Sequence, residues 1–105
     1  MSLPYSIYSE AAQELHDAVI RYNLGGRGRG RKIKAAYDAA LDRVRDWPES
    51  GTRDFYNDSD TEVRKVKIAR SDLWIVYFVE NNVLFVVAVA HERREPGYWR
   101  NRIDQ

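Results

Sequence analysis

The segment Leu73-Trp74-Ile75-Val76-Tyr77-Phe78-Val79-Glu80-Asn81-Asn82-Val83-Leu84-Phe85-Val86-Val87-Ala88-Val89-Ala90 reads as two strands joined by a tight turn. Both runs are rich in β-branched and aromatic residues, which suit a pleated, buried surface. Asn81-Asn82 separates them, and Asn accepts the positive φ that a two-residue hairpin turn requires. In the first run Trp74, Val76 and Phe78 share one face, while Leu73, Ile75, Tyr77 and Val79 share the other. Residues 83–90 are apolar on both faces. A half-solvated strand alternates, so this pair wants cover on both sides of its sheet.

Upstream, residues 61–69 read as a further strand, and residues 5–8 as a short first one. Between these lie two helical patterns. Ala12, Leu15, Val19 and Tyr22 recur at helical spacing and predict a helix over about residues 10–23, with Ser9 as its N-cap and Glu10 favoured by the dipole. Asn23-Leu24-Gly25-Gly26 stops it. Ile33, Tyr37, Ala40, Leu41, Val44 and Trp47 predict a second helix over about residues 28–46, ended by Pro48 and Gly51. Helices followed by hairpin-linked strands give an α+β fold: two N-terminal helices on an antiparallel β-sheet of about four strands. Two helices cover one sheet face. The other needs the C-terminal tail or a partner chain, and a second chain is expected to cover what this one leaves exposed.

The 105 residues fit one domain, 1–105, with no internal repeat or linker. The absence of Cys removes disulfide and thiolate chemistry and agrees with a cytoplasmic setting. No apolar run approaches the roughly 20 residues of a membrane span, so no membrane partner is expected. Seventeen Lys and Arg against sixteen Asp and Glu leave a formal charge of +1. The average conceals clustering: Arg27, Arg29, Arg31, Lys32 and Lys34 form one basic island, and Arg64, Lys65, Lys67 and Arg70 another. A ligand senses charge within a Debye length of about 8 Å, so such islands matter more than the total.

Three stretches can carry chemistry. In Arg64-Lys65-Val66-Lys67-Ile68-Ala69-Arg70, Lys65 and Lys67 lie on one strand face about 7 Å apart, suited to phosphates; lysines on an exposed sheet edge have the same spacing. The stretch His91-Glu92-Arg93-Arg94-Glu95-Pro96-Gly97-Tyr98-Trp99-Arg100-Asn101-Arg102 follows the last strand. There His91 can move a proton, Tyr98 can orient or stack on a base, and Arg93, Arg94 and Arg102 can hold phosphates. Alternatively Tyr98 and Trp99 simply cover the sheet while the charges solvate its rim. Gly25-Gly26-Arg27-Gly28-Arg29-Gly30-Arg31-Lys32 looks like a loop entering a basic helix, and lacks the Gly-Lys-Ser/Thr ending of a phosphate-binding loop. No ligand cluster is visible, so neither metal nor cofactor is expected.

Taken in order, the two helices, Val63-Arg64-Lys65-Val66-Lys67, Trp74-Ile75-Val76-Tyr77-Phe78-Val79-Glu80, Val87-Ala88-Val89-Ala90-His91 and Arg94-Glu95-Pro96-Gly97-Tyr98-Trp99 resemble the RelE/ParE toxin family. These are toxins of bacterial type II toxin–antitoxin modules, also labelled plasmid stabilisation proteins. The resemblance spans nearly the whole chain and is strongest over residues 63–102. It implies a growth-inhibiting toxin neutralised by a cognate antitoxin in a hetero-oligomer. RelE-like members cut mRNA in the ribosomal A site. That activity implies Lys65, Lys67, Arg94, Tyr98 and His91 as catalytic residues, and Arg64, Arg93, Arg102 and Trp74 as substrate-binding ones. Trp74 stands where the RelE-like pattern has an Arg, and a Trp cannot neutralise a phosphate. ParE-like members instead poison DNA gyrase without such a constellation. A binding module with no toxicity is the third expectation.

Overall fold

The computed structural model describes residues 2–56 and 60–103. The chain forms β1 (Tyr5–Ile7), α1 (Ser9–Leu24), α2 (Arg29–Asp46), a 3-10 turn (Pro48–Ser50), β2 (Thr52–Asp54), β3 (Val63–Lys67), β4 (Leu73–Glu80), β5 (Val83–His91) and the short α3 (Arg100–Ile103). The sheet has five strands in the order β1-β5-β4-β3-β2. The pairs from β2 through β5 are antiparallel, and β1 pairs parallel with β5, Ser6 opposite Phe85. The sheet is therefore mixed and one strand larger than the sequence reading. β2 is three polar residues with no readable period, and the place of β1 beside the last strand is a property of topology.

The hairpin forms as its sequence asks. Asn81 and Asn82 take φ of 54° and 62°, and Glu80 pairs with Val83 across the turn. The all-apolar β5 has a geometric reason as well. Val76 pairs with Ala88 but Tyr77 pairs with Val86, so Val87 is an extra residue in β5. A bulge of one residue reverses the side-chain alternation. Leu84 and Val86 before it, and Val89 after it, pack with the helices; Val87, Ala88 and Ala90 pack on the far face.

Two helices cover the near face. α1 buries Ala11, Leu15 and Ala18, and α2 buries Ile33, Tyr37, Ala40, Leu41 and Val44 against Leu73, Ile75 and Tyr77. The helices approach closely at Gly30, where a Cβ would sit 2.6 Å from the Val19 carbonyl oxygen. Ser9 is not the cap of α1. Tyr8 donates its N–H to the Val86 carbonyl and accepts the Ala12 N–H, so β1 runs straight into the helix and Ser9 falls in its first turn.

The far face is covered by the chain's own tail. Trp99, only 2% exposed, packs with Val63, Val76, Val87, Ala88 and Ala90, flanked by Tyr98 and Ile103. At the other end Tyr8, Phe78 and Phe85 form an aromatic cluster. Of the two covers expected for this face, tail or partner chain, the tail supplies it, turned back across the sheet at Pro96-Gly97. Among the described residues no helix is long and apolar enough to cross a membrane.

Candidate functional site

Where β3, β4 and the post-β5 turn meet, the far face opens into a cleft of about 220 Å³. The β3–β4 register sets Lys65 opposite Val76 and Lys67 opposite Trp74. Both ammonium groups lie over the Trp74 indole, at 4.8 and 5.1 Å from its centre. The indole face carries partial negative charge, so it holds two cations together that would otherwise repel. Lys67 also pairs with Glu92 at 3.0 Å, and it borders the cleft without lining it.

The opposite wall comes from the tail. The Arg94 guanidinium stacks on the Tyr98 ring at 3.8 Å from its centre. The Tyr98 hydroxyl donates to Glu14 at 2.6 Å, and Arg102 grips the same carboxylate through two N–H groups at 2.9 and 3.1 Å. Burial, and donation to Glu14, push the Tyr98 pKa well above that of a free phenol. Its hydroxyl is thus protonated and committed, and its ring lines the cleft beneath the Arg94 guanidinium. Burial works against the charge on Arg102, but contact with Glu14 outweighs it and the guanidinium stays charged.

His91 lines the cleft, yet both ring nitrogens are occupied. Nε2 lies 2.6 Å from Asp72 Oδ2, and Nδ1 accepts the Arg93 backbone N–H at 3.0 Å. Burial would raise the Asp72 pKa; the Tyr22 hydroxyl and the nearby His91 outweigh it, and the net pKa falls below the ordinary value.

Of the residues predicted from sequence, Lys65, Trp74, His91, Arg94 and Tyr98 line one cleft. Arg102 stands behind Tyr98, and Arg93 enters through its main chain. Arg64 is not with them. Its strand position points it to the helix side, where it donates to the Glu49 and Gly51 carbonyls and pairs with Glu62. Among the described residues Lys65 and Arg94 form no salt bridge, and no group of three or more His, Asp or Glu is arranged to hold a metal ion.

Sequence reasoning missed the acids. Glu14, Asp72 and Glu92 each engage a predicted site residue, and Asp54 at the end of β2 and Tyr56 just after it line the cleft. Glu14 had a readable signal: it lies between Ala11 and Ala18 at helical spacing, an acid on the buried stripe of α1.

No family model and no curated protein matches the chain in sequence. Solved structures do match it in shape. A chain of the chromosomal ParDE toxin–antitoxin system from P. aeruginosa aligns over 86% of this chain and 96% of its own, with 14% identity and a TM-score of 0.62. A mutant of E. coli toxin RelE in the free state aligns over 99% and 98%, with 19% identity and a TM-score of 0.63. The chain has the RelE/ParE fold. Identity this low speaks for the backbone, so the side chains must carry the rest. On the RelE/ParE fold of this chain, Trp74 is the centre of the cleft, with Lys65 and Lys67 above it.

Proposed function

We propose that this chain is the toxin of a type II toxin–antitoxin module, acting in the cytoplasm, held by a cognate antitoxin, and arresting growth by cleaving mRNA on the ribosome. One observation carries the reading: segments far apart in sequence deliver Lys65, Trp74, Arg94 and Tyr98 to a single cleft. Cations gathered on half-buried aromatic rings in one cleft suit single-stranded RNA, whose phosphates need charge and whose splayed bases stack. In the proposed reaction an RNA 2′-hydroxyl gives its proton to solvent, its oxygen attacks the adjacent phosphorus, and the bond to the 5′-oxygen breaks as that oxygen takes a proton from solvent, leaving a 2′,3′-cyclic phosphate and a 5′-hydroxyl end. Lys65, an ammonium beside the Trp74 ring, stabilises charge on the phosphate. Arg94 holds the phosphate, and the Trp74 and Tyr98 rings orient the nucleotides. His91, with both nitrogens engaged, acts by holding the turn.

A specific observation favours a second reading, inhibition of DNA gyrase. Lys67, His91, Tyr98 and Arg102 are each tied to an acid, and Trp74 takes the place of an arginine in the RNase pattern, leaving a lean set for phosphate chemistry.

The test is induction of the chain in a bacterium, with growth followed and mRNA 5′ ends mapped. Growth arrest with new in-frame 5′ ends, both lost in the Lys65→Ala/Arg94→Ala double variant, is the expected result. Arrest with intact mRNA and gyrase-linked DNA breaks supports the second reading, and unchanged growth overturns both. A small acidic protein encoded beside the chain should restore growth.

A further inference from the structure

Resting on the cleft reading above, we infer that Asp72 is a positioning residue: it fixes the His91 imidazole and, through it, the turn that sets Arg94 against Tyr98. His91 Nδ1 fixes the tautomer of the ring. Its partner is the Arg93 backbone N–H at 3.0 Å, which can only donate. Nδ1 therefore carries no proton, and the neutral ring holds its proton on Nε2. That proton points at Asp72 Oδ2, 2.6 Å away.

Asp72 is held in turn. Its other carboxylate oxygen accepts the Tyr22 hydroxyl at 2.6 Å, and its own N–H returns a hydrogen bond to that hydroxyl at 3.1 Å. Its carbonyl accepts the Glu92 N–H at 2.8 Å, and the His91 carbonyl accepts the Arg94 N–H at 3.0 Å. Arg21 stands 3.7 Å from the carboxylate, as a weaker neighbour. An unbroken path thus runs from α1 through the β3–β4 turn to the turn after β5. At its end the Arg94 guanidinium lies 3.8 Å from the centre of the Tyr98 ring. A carboxylate can accept from Tyr22 and His91 at once. An amide has one acceptor oxygen, so Asp72→Asn keeps the shape and loses one of the two contacts.

The experiment is nitrogen-15 NMR of the imidazoles in the full chain, wild type and Asp72→Asn, with Arg94 side-chain proton shifts recorded alongside. The wild type should show His91 protonated at Nε2 and bare at Nδ1, and Arg94 protons displaced by the Tyr98 ring current. In Asp72→Asn the His91 tautomer should mix and the Arg94 displacement shrink, while the methyl signals of Val44 and Leu84 stay in place. The mRNA cleavage rate should fall by up to about a hundredfold, as a misplaced site group costs. A wild-type His91 protonated at Nδ1 overturns the inference without any variant. So does an Asp72→Asn chain whose Arg94 shifts match the wild type, since Asp72 would then only staple two turns. A wild-type chain that cleaves no mRNA overturns the function reading instead, and the two NMR readouts still decide this one.

Discussion

The hydroxyl of Tyr98 donates to the carboxylate of Glu14, 84 residues earlier in the chain, at 2.6 Å. That contact places a tail aromatic against α1, and Glu14 does more than accept it. Its Oε1 also takes the Val89 N–H at 3.1 Å, on the edge of β5 beyond the end of β1. Glu14 therefore finishes the sheet edge and docks the tail with one side chain. This couples the position of the Tyr98 ring, a wall of the cleft, to the packing of the first helix.

Tyr98→Phe should separate the two roles of that residue. The ring stays beneath Arg94 and the donor to Glu14 disappears. A hydrogen bond to a charged group is worth about 1.5–3 kcal/mol, so urea unfolding should show a loss in that range. Growth inhibition should survive Tyr98→Phe and be lost in Tyr98→Ala, which removes the ring. A double-mutant cycle with Glu14→Gln should be non-additive, because the two side chains share one bond.

Trp99→Ala tests the claim that the tail is part of the core. Trp99 is buried against residues of β3, β4 and β5 and its truncation opens a large cavity, which costs about 3–5 kcal/mol. A domain of this size has about 5–15 kcal/mol in total, so the midpoint in urea should fall steeply. A change below about 1 kcal/mol would mean that the tail leaves the sheet readily in solution.

Gly97→Ala should misplace the same tail by a different route. Gly97 takes φ of 76°, and a Cβ there would lie 2.7 Å from the Tyr56 carbonyl oxygen. The variant meets both backbone strain and a contact with main chain that cannot swing aside, so a loss of at least about 1–3 kcal/mol is expected. Thermal unfolding by circular dichroism measures it. Gly28, whose φ is 83° with nothing within 4 Å of its Cβ position, is the control: Gly28→Ala should pay the strain without the clash and lose less.

These variants probe what the sequence concealed. The hairpin was legible because Asn81-Asn82 and two β-rich runs are local signals, and both helices were legible from apolar period. β2 was not, since Thr52-Arg53-Asp54 has neither period nor bulk. Nor was the parity flip at Val87, which appears only when β4 and β5 are paired. The cations and aromatics of the cleft could be named from sequence because basic strand residues and a tail Tyr are distinctive types. Their acids could not: Glu14 and Asp72 reach their partners across the fold, and a lone acid in a sequence names no partner. Arg64 went astray for a simpler reason. It sits one residue from Lys65, and one residue along a strand is the other face of the sheet.

The alkaline limb of the stability curve should carry the mark of Tyr37. This residue is 4% exposed in the α2 core, and burial pushes its pKa up to about 12. In the unfolded chain a tyrosine ionises near pH 10, so its folded value is the higher one. The unfolded state then sheds its proton first as pH rises, which favours unfolding. The contribution of Tyr37 is accordingly complete below about pH 10 and is lost between about 10 and 12, at roughly 1.4 kcal/mol per pH unit. Tyr98 is raised in the same direction and adds to the fall. Tyr37→Phe removes one ionising group and should flatten the decline by about that slope, measured as unfolding free energy in urea at stepped pH. A Tyr37→Phe curve parallel to the wild type above pH 10 would show that the phenol is solvated, and that α2 packs more loosely on β4 than the buried ring implies.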